Sequence, residues 1–127
     1  MTNLTNYGIC VGRLTDDVRL FNNSDGSQNA RLTVACSNNY KDAEGNATAE
    51  FLPLRAFIPA DKTDANVYQR MHKGDLCMFS YTVKNNNYEK DGKTVYEIVL
   101  QIDSVKLLEG KSVTDARLAA RAAENDK

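Results

Sequence analysis

Over Glu50-Phe51-Leu52-Pro53-Leu54-Arg55-Ala56-Phe57-Ile58 the apolar residues recur at every second position, the period of extended backbone. Leu52, Leu54, Ala56 and Ile58 make an ordinary core face. The opposite face, where polar residues are the norm, carries Phe51, Pro53, Arg55 and Phe57. Two aromatics flanking a guanidinium fit either of two readings. One is an exposed platform for flat π-systems, of which nucleic-acid bases are the commonest. The other is a second buried face, in a sandwich or at a subunit interface.

The same period marks Ala30–Ser37, with Leu32, Val34 and Cys36 inward and Arg31, Thr33 and Ser37 outward. Tyr7–Leu14 reads as a first strand, bent or bulged at Gly8 and Gly12. Val18–Phe21 is a short second piece, or the first strand continued after a bend, followed by a turn at Asn22–Ser27 built on Asp25-Gly26. Tyr40–Thr48 is a polar loop. Pro53 lacks a ladder donor and is expected at an edge or a bulge. Asp61–His72 has helical spacing, with Ala65, Tyr68, Met71 and His72 on one face, Val67 beside it and Gly74 as a stop. Asp75–Val83 is a fourth strand and Asn85–Lys93 a hairpin tip turning at Asp91-Gly92. Thr94–Leu108 is a long fifth strand, apolar on one side through Tyr96, Ile98, Leu100 and Ile102. Ser112–Lys127 is alanine-rich and charged. Ser112, Thr114 or Asp115 can cap a short helix there, but few apolar residues are available to dock it. Five strands and one short internal helix predict an all-β fold, a small closed barrel with long projecting hairpins. The barrel is expected over 1–110, with 111–127 a short tail, flexible or partly helical.

Composition narrows the function classes. A chain of 127 residues with 42% hydrophobic and 26% charged residues is expected to form one domain with its own core. No apolar run approaches the roughly 18 residues of a membrane span. Met1–Asn6 has no basic stretch leading into an apolar one, so a cytoplasmic location is expected and no membrane partner. Cys10, Cys36 and Cys77 are odd in number, widely spaced and set among apolar neighbours, which predicts free thiols packed as small hydrophobes. With His72 the only histidine, neither a metal site nor a catalytic triad is expected, and no cofactor. A net charge of −1 argues against a strongly basic nucleic-acid binder and shifts weight to stacking and to the placement of individual cations.

GxSxG, glycine-rich phosphate loops, HExxH and GxGxxG are all absent from the sequence. Asp16, Asp17 and Asp25 lie in turn contexts, so the chain is not expected to be an enzyme. The aromatics outside the core pattern carry more information. Tyr40, Phe51, Phe57 and Tyr88 each have cations nearby in sequence: Lys41, Arg55, Lys84 or Lys90, and Lys93. A single such residue is ordinarily a half-buried surface aromatic. Four of them with interleaved cations match what sequence-tolerant binding of a single strand requires, because every base offers a π-face.

Gly12-Arg13-Leu14-Thr15, Tyr40-Lys41-Asp42-Ala43-Glu44-Gly45, Glu50-Phe51 to Phe57, Lys73-Gly74-Asp75, and Asp91-Gly92-Lys93 with Tyr96-Glu97 together resemble the bacterial and phage single-stranded DNA-binding protein family, in order and spacing, across residues 7–108. The resemblance implies an OB fold and single-stranded DNA as partner in replication, recombination or repair. It also implies a homo-oligomer, a tetramer or a dimer. The family's base-stacking positions match Tyr40, Phe51, Phe57 and Tyr88. Arg13, Arg19, Arg31, Lys41, Arg55, Lys84, Lys90 and Lys93 are the candidates for phosphates. The sequence departs from the family in having no tryptophan, in the asparagines after Lys84, in Ser80-Tyr81 where Glu-Gly is usual, and in Pro59–Lys62, which lacks the usual Gly-Lys. Its last residues, Ala123–Lys127, lack the acidic tip ending in proline and phenylalanine, so recruitment of replication enzymes through such a tip is not expected. A phage, plasmid or accessory paralogue fits best. The alternatives are a primosome-like OB-fold module that mainly contacts replication proteins, and a barrel that stacks sugars or peptides.

Overall fold

The computed structural model describes residues 5–62 and 66–125. Its strands are β1 (Gly8–Leu14), β2 (Arg19–Asn22), β3 (Gln28–Lys41), β4 (Ala47–Ile58), β5 (Leu76–Asn85), β6 (Tyr88–Lys90), β7 (Lys93–Val95) and β8 (Ile98–Leu107), and helix α1 spans Lys111–Asn125. The sheet order β1-β5-β8-β4-β3, closed by pairing of β1 with β3, makes a five-stranded barrel of OB type. Strand β2 extends the sheet beyond β3, and β6–β7 is a separate small hairpin. Closure leaves the barrel few open edges.

Alternation explains the interior. Leu32, Val34, Leu54, Ala56, Ile58, Cys10, Cys77 and Phe79 are buried, with Leu52 and Cys36 packed against them half-buried. All three cysteines are free thiols. Gly12 is required where β1 closes onto β3, because a Cβ there would overlap the Ala35 carbonyl oxygen. Pro53 lies in the half of β4 that pairs with β3 alone. The Thr33 carbonyl opposite it accepts from Thr15 N–H across β3, at 3.0 Å. The Thr33–Pro53 pair is therefore not hydrogen-bonded, and the missing donor costs the ladder nothing.

Two elements differ from the sequence reading. The segment Asp61–His72 holds 3₁₀ turns at Ala60–Lys62 and Val67–Arg70 in place of one helix. Ala65 lies outside the described residues. Tyr68 and Met71 still reach the core, because i and i+3 share a side in a 3₁₀ turn as they do in an α-helix. The fifth strand divides after Val95, and Tyr96 and Ile98 are exposed, at 79% and 71%, where the barrel's interior has ended. A register shift falls at Ser80/Tyr81, and the Tyr81 ring occupies the space over Gly8.

Helix α1 is fixed to the barrel through arginines. The Arg117 guanidinium donates to Asp75 (2.8 Å) and to both oxygens of Glu109 (2.8 and 2.9 Å). Arg121, one turn later, donates to both oxygens of Asp17.

Candidate nucleic-acid interface

The outer face of β2, β3 and β4 is built by register. Arg19 pairs with Arg31 and Arg31 with Arg55. One step along, Phe21 pairs with Asn29 and Asn29 with Phe57. Directly paired residues share a face, so a row of three guanidiniums runs beside a row ending in two phenyl rings. Further along, Ala35 joins Arg13 on β1 to Phe51 on β4. Like charges set directly opposite one another destabilise a sheet. The protein offsets this in part: the Arg31 guanidinium lies 5.2 Å from the Phe21 ring centroid, and Arg55 donates to Glu97 at 2.7 Å.

Two open grooves meet at Arg55. One, of about 410 Å³, is lined by Arg19, Phe21, Arg31, Pro53 and Arg55 and rimmed by Asp16 and Asp17. The other, of about 210 Å³, is lined by Asn29, Arg55, Phe57, Lys84 and Asn86. Phe51, Phe57, Phe21 and Tyr88 are 64%, 53%, 45% and 45% exposed. Phe51 and Phe57 stand six residues apart on β4, about 20 Å at strand rise.

The structure thus brings together Arg19, Arg31, Arg55, Phe57 and Lys84, with Phe51 farther along the same face. Tyr40 and Lys41 stand exposed at the tip of the β3–β4 hairpin. Its loop is closed by Asp42, whose carboxylate accepts from the N–H groups of Glu44 and Asn46. Tyr88, Lys90 and Lys93 occupy the β6–β7 hairpin, where Lys90 and Lys93 flank a turn with positive φ at Asp91 (54°) and Gly92 (76°). Positive φ at both central residues is what Asp-Gly supplies to a tight hairpin. Arg13 is drawn to the base of α1, donating to the Gly74 carbonyl and to Glu109.

Phe21 was not among the residues singled out from sequence. The signal was a repeat: Arg19-Leu20-Phe21 and Arg55-Ala56-Phe57 carry the same Arg-x-Phe order, and β3 holds them in register on one face.

Ionisation follows the same geometry. Arg121 and the Lys73 backbone N–H hold the Asp17 carboxyl well below the usual carboxylate range. Burial pushes the thiols of Cys10 and Cys77 up to about 12, with Cys36 adding to the first and the Asp75 and Glu109 charges to the second. Among the described residues no cluster of His, Cys, Asp or Glu is arranged to hold a metal ion. No helix there is long and apolar enough to cross a membrane.

Comparison with known proteins agrees with this architecture. Residues 5–108 match the model of the single-strand binding protein family. The single-stranded DNA-binding protein 1 of Staphylococcus aureus (strain MSSA476) is 33% identical over 113 residues, 88% of this chain and 70% of its own length. The single-stranded DNA-binding protein of Staphylococcus epidermidis is 26% identical over 97% of this chain and 91% of its own. That of Malacoplasma penetrans is 33% identical over 84% of this chain and 53% of its own. With its barrel matched almost end to end, the chain belongs to the single-strand binding protein family.

Proposed function

We propose that this protein binds single-stranded DNA with little sequence preference and without catalysis, holding and protecting it during replication, recombination or repair. The observation that carries the reading is the Arg19–Arg31–Arg55 row beside Phe21 and Phe57. A sheet that aligns three cations next to exposed rings gains from a polyanion with stackable bases what it loses in self-repulsion. Phe51, Phe57, Tyr40 and Tyr88 stack bases. Arg19, Arg31, Arg55 and Lys84 take phosphates along the sheet, and Lys41, Lys90 and Lys93 take them on the two hairpins. Arg13, at the rim with Glu109, contributes least. The binding unit is the barrel, residues 1–110, and 111–127 is an appended tail containing α1.

We also infer a homo-oligomer, a dimer or tetramer. Strand β1 pairs with β3 only at Arg13 and Leu14, so its earlier residues offer an open backbone edge. Beside that edge Ile9, Val11 and Met78 are 51%, 45% and 36% exposed. Light scattering that finds only monomer at micromolar concentration excludes this.

The decisive experiment is fluorescence anisotropy with labelled dT oligomers across a salt series. Binding at micromolar concentration or tighter is expected at low salt, with log K falling against log[salt] by about 0.7 per neutralised phosphate. Phe51→Ala and Phe57→Ala each weaken it by about 1–3 kcal/mol while stability changes by less than about 0.5 kcal/mol, since both rings are exposed. Absence of binding at low salt refutes the reading and favours a module that contacts proteins.

A further inference from the structure

We propose that helix α1 completes the DNA groove by masking its acidic rim: Arg121 neutralises Asp17, so docking of the helix raises the groove's affinity for a polyanion. The groove that holds Arg19, Arg31 and Arg55 is also lined by Asp16 and Asp17, two adjacent acidic residues. Left alone, they repel the ligand that the arginine row attracts.

Asp17 is not left alone. Arg121 Nη1 donates to Oδ1 at 2.9 Å and Nη2 to Oδ2 at 2.8 Å, and the Lys73 backbone N–H donates to Oδ1 at 2.9 Å. A bidentate guanidinium–carboxylate pair satisfies both oxygens in one plane, leaving the strand to meet a matched pair instead of a bare charge. The helix that delivers Arg121 is anchored separately. Arg117, four residues earlier and so on the same helix face, spans Glu109 and the buried Asp75. One arginine fixes the helix and the next acts at the groove. The linear sequence hides this link, since Asp17 and Arg121 are 104 residues apart.

The inference rests on the reading that DNA crosses the Arg19–Arg31–Arg55 row, and the test separates the two. Anisotropy titrations with dT oligomers at low salt would compare the parent protein with Arg121→Ala, Asp17→Asn, the double variant and Phe57→Ala, each checked by thermal melting. Arg121→Ala is expected to weaken binding by about three- to tenfold, the effect of one unmasked charge a few ångströms from a phosphate. Asp17→Asn binds at least as tightly as the parent, and the double variant returns to within about twofold of Asp17→Asn. Unchanged affinity in Arg121→Ala overturns the proposal. So does a double variant as weak as Arg121→Ala, which would mean that Arg121 holds DNA itself. Phe57→Ala without effect refutes the DNA path, whereas a weakened Phe57→Ala beside an unaffected Arg121→Ala refutes only the masking. Should Arg121→Ala melt below the assay temperature, Arg121→Gln takes its place with the same outcomes.

Discussion

Arg55 stands where the two grooves meet, and its ion-pair partner among the described residues is Glu97, at 2.7 Å with both side chains about one-third exposed. A pair so exposed contributes only about 0–1 kcal/mol, little enough that a phosphate can displace the carboxylate. On the proposed path Glu97 thereby competes with DNA for Arg55. It is held in place by Asn86, whose side-chain amide donates to the other oxygen at 3.0 Å. Glu97→Gln keeps a hydrogen-bond acceptor and removes the charge. It is expected to tighten binding of dT oligomers about two- to fivefold and to steepen the salt dependence by up to about 0.7. Equal affinity and slope in the anisotropy titration would show that Arg55 is not on the path. At this scale Phe51, Arg55 and Phe57 were legible because one strand's alternation is local. Phe21 was not, because β2 has only four residues and its placement depends on pairing with β3, which spacing along the chain does not reveal. The Arg55–Glu97 pair joins residues 42 apart and is invisible for the same reason.

The elements were legible where one side of a strand is core. The inward sets on β3 and β4 follow from period two and the turn at Asp91-Gly92 from its dipeptide, whereas β3 runs on to Lys41 and β4 starts at Ala47, inside what reads as a polar loop. Legibility failed where an element outruns the barrel, as at Tyr96 and Ile98, and where i, i+3 spacing suits both 3₁₀ and α geometry, as at Tyr68 and Met71. Helix α1 is the sharpest case. Its sequence has few apolar residues to advertise docking, and what docks it is a guanidinium meeting the carboxylates of Asp75, just before β5, and Glu109, just after β8. Asp75 is 2% exposed, and its carboxylate accepts from the His72 backbone N–H on one oxygen and from Arg117 on the other. Removing the partner of a buried carboxylate leaves it desolvated and half-satisfied. Arg117→Ala is therefore expected to lower stability by about 1–3 kcal/mol and Tm by roughly 5–10 °C, measured by circular dichroism. Arg117→Lys should recover only part of this, because an ammonium cannot span Asp75 and Glu109 at once. A melting curve unchanged in Arg117→Ala would show that Asp75 does not depend on the helix.

Taken as one molecule, the protein separates its tasks by face: cations and rings outside on β2–β4, and inside a core that includes two thiols. That interior sets an alkaline limit on the fold. Burial raises the thiols of Cys10 and Cys77 from 9.0 to about 12, and the half-buried Tyr68 hydroxyl from 10.0 to about 12. All three groups hold their protons more tightly folded than unfolded. Between the unfolded and folded values the native state therefore binds more protons, and stability falls as pH rises. Below pH 9 the contribution is constant, because both states are protonated. At pH 10 each thiol withdraws about 1 kcal/mol, and the loss grows toward pH 12. Thermal melts from pH 7 to 11 should show a plateau followed by a decline that begins near pH 9. Cys77→Ala makes the assignment specific. It lowers the plateau by opening a small cavity beside Phe79, yet it flattens the decline, because one of the titrating groups is gone. If the decline keeps its slope in that variant, the thiol is not its source. If Tm stays level through pH 10.5 in the parent protein, the core does not exclude water around these sulfurs as the closed barrel requires.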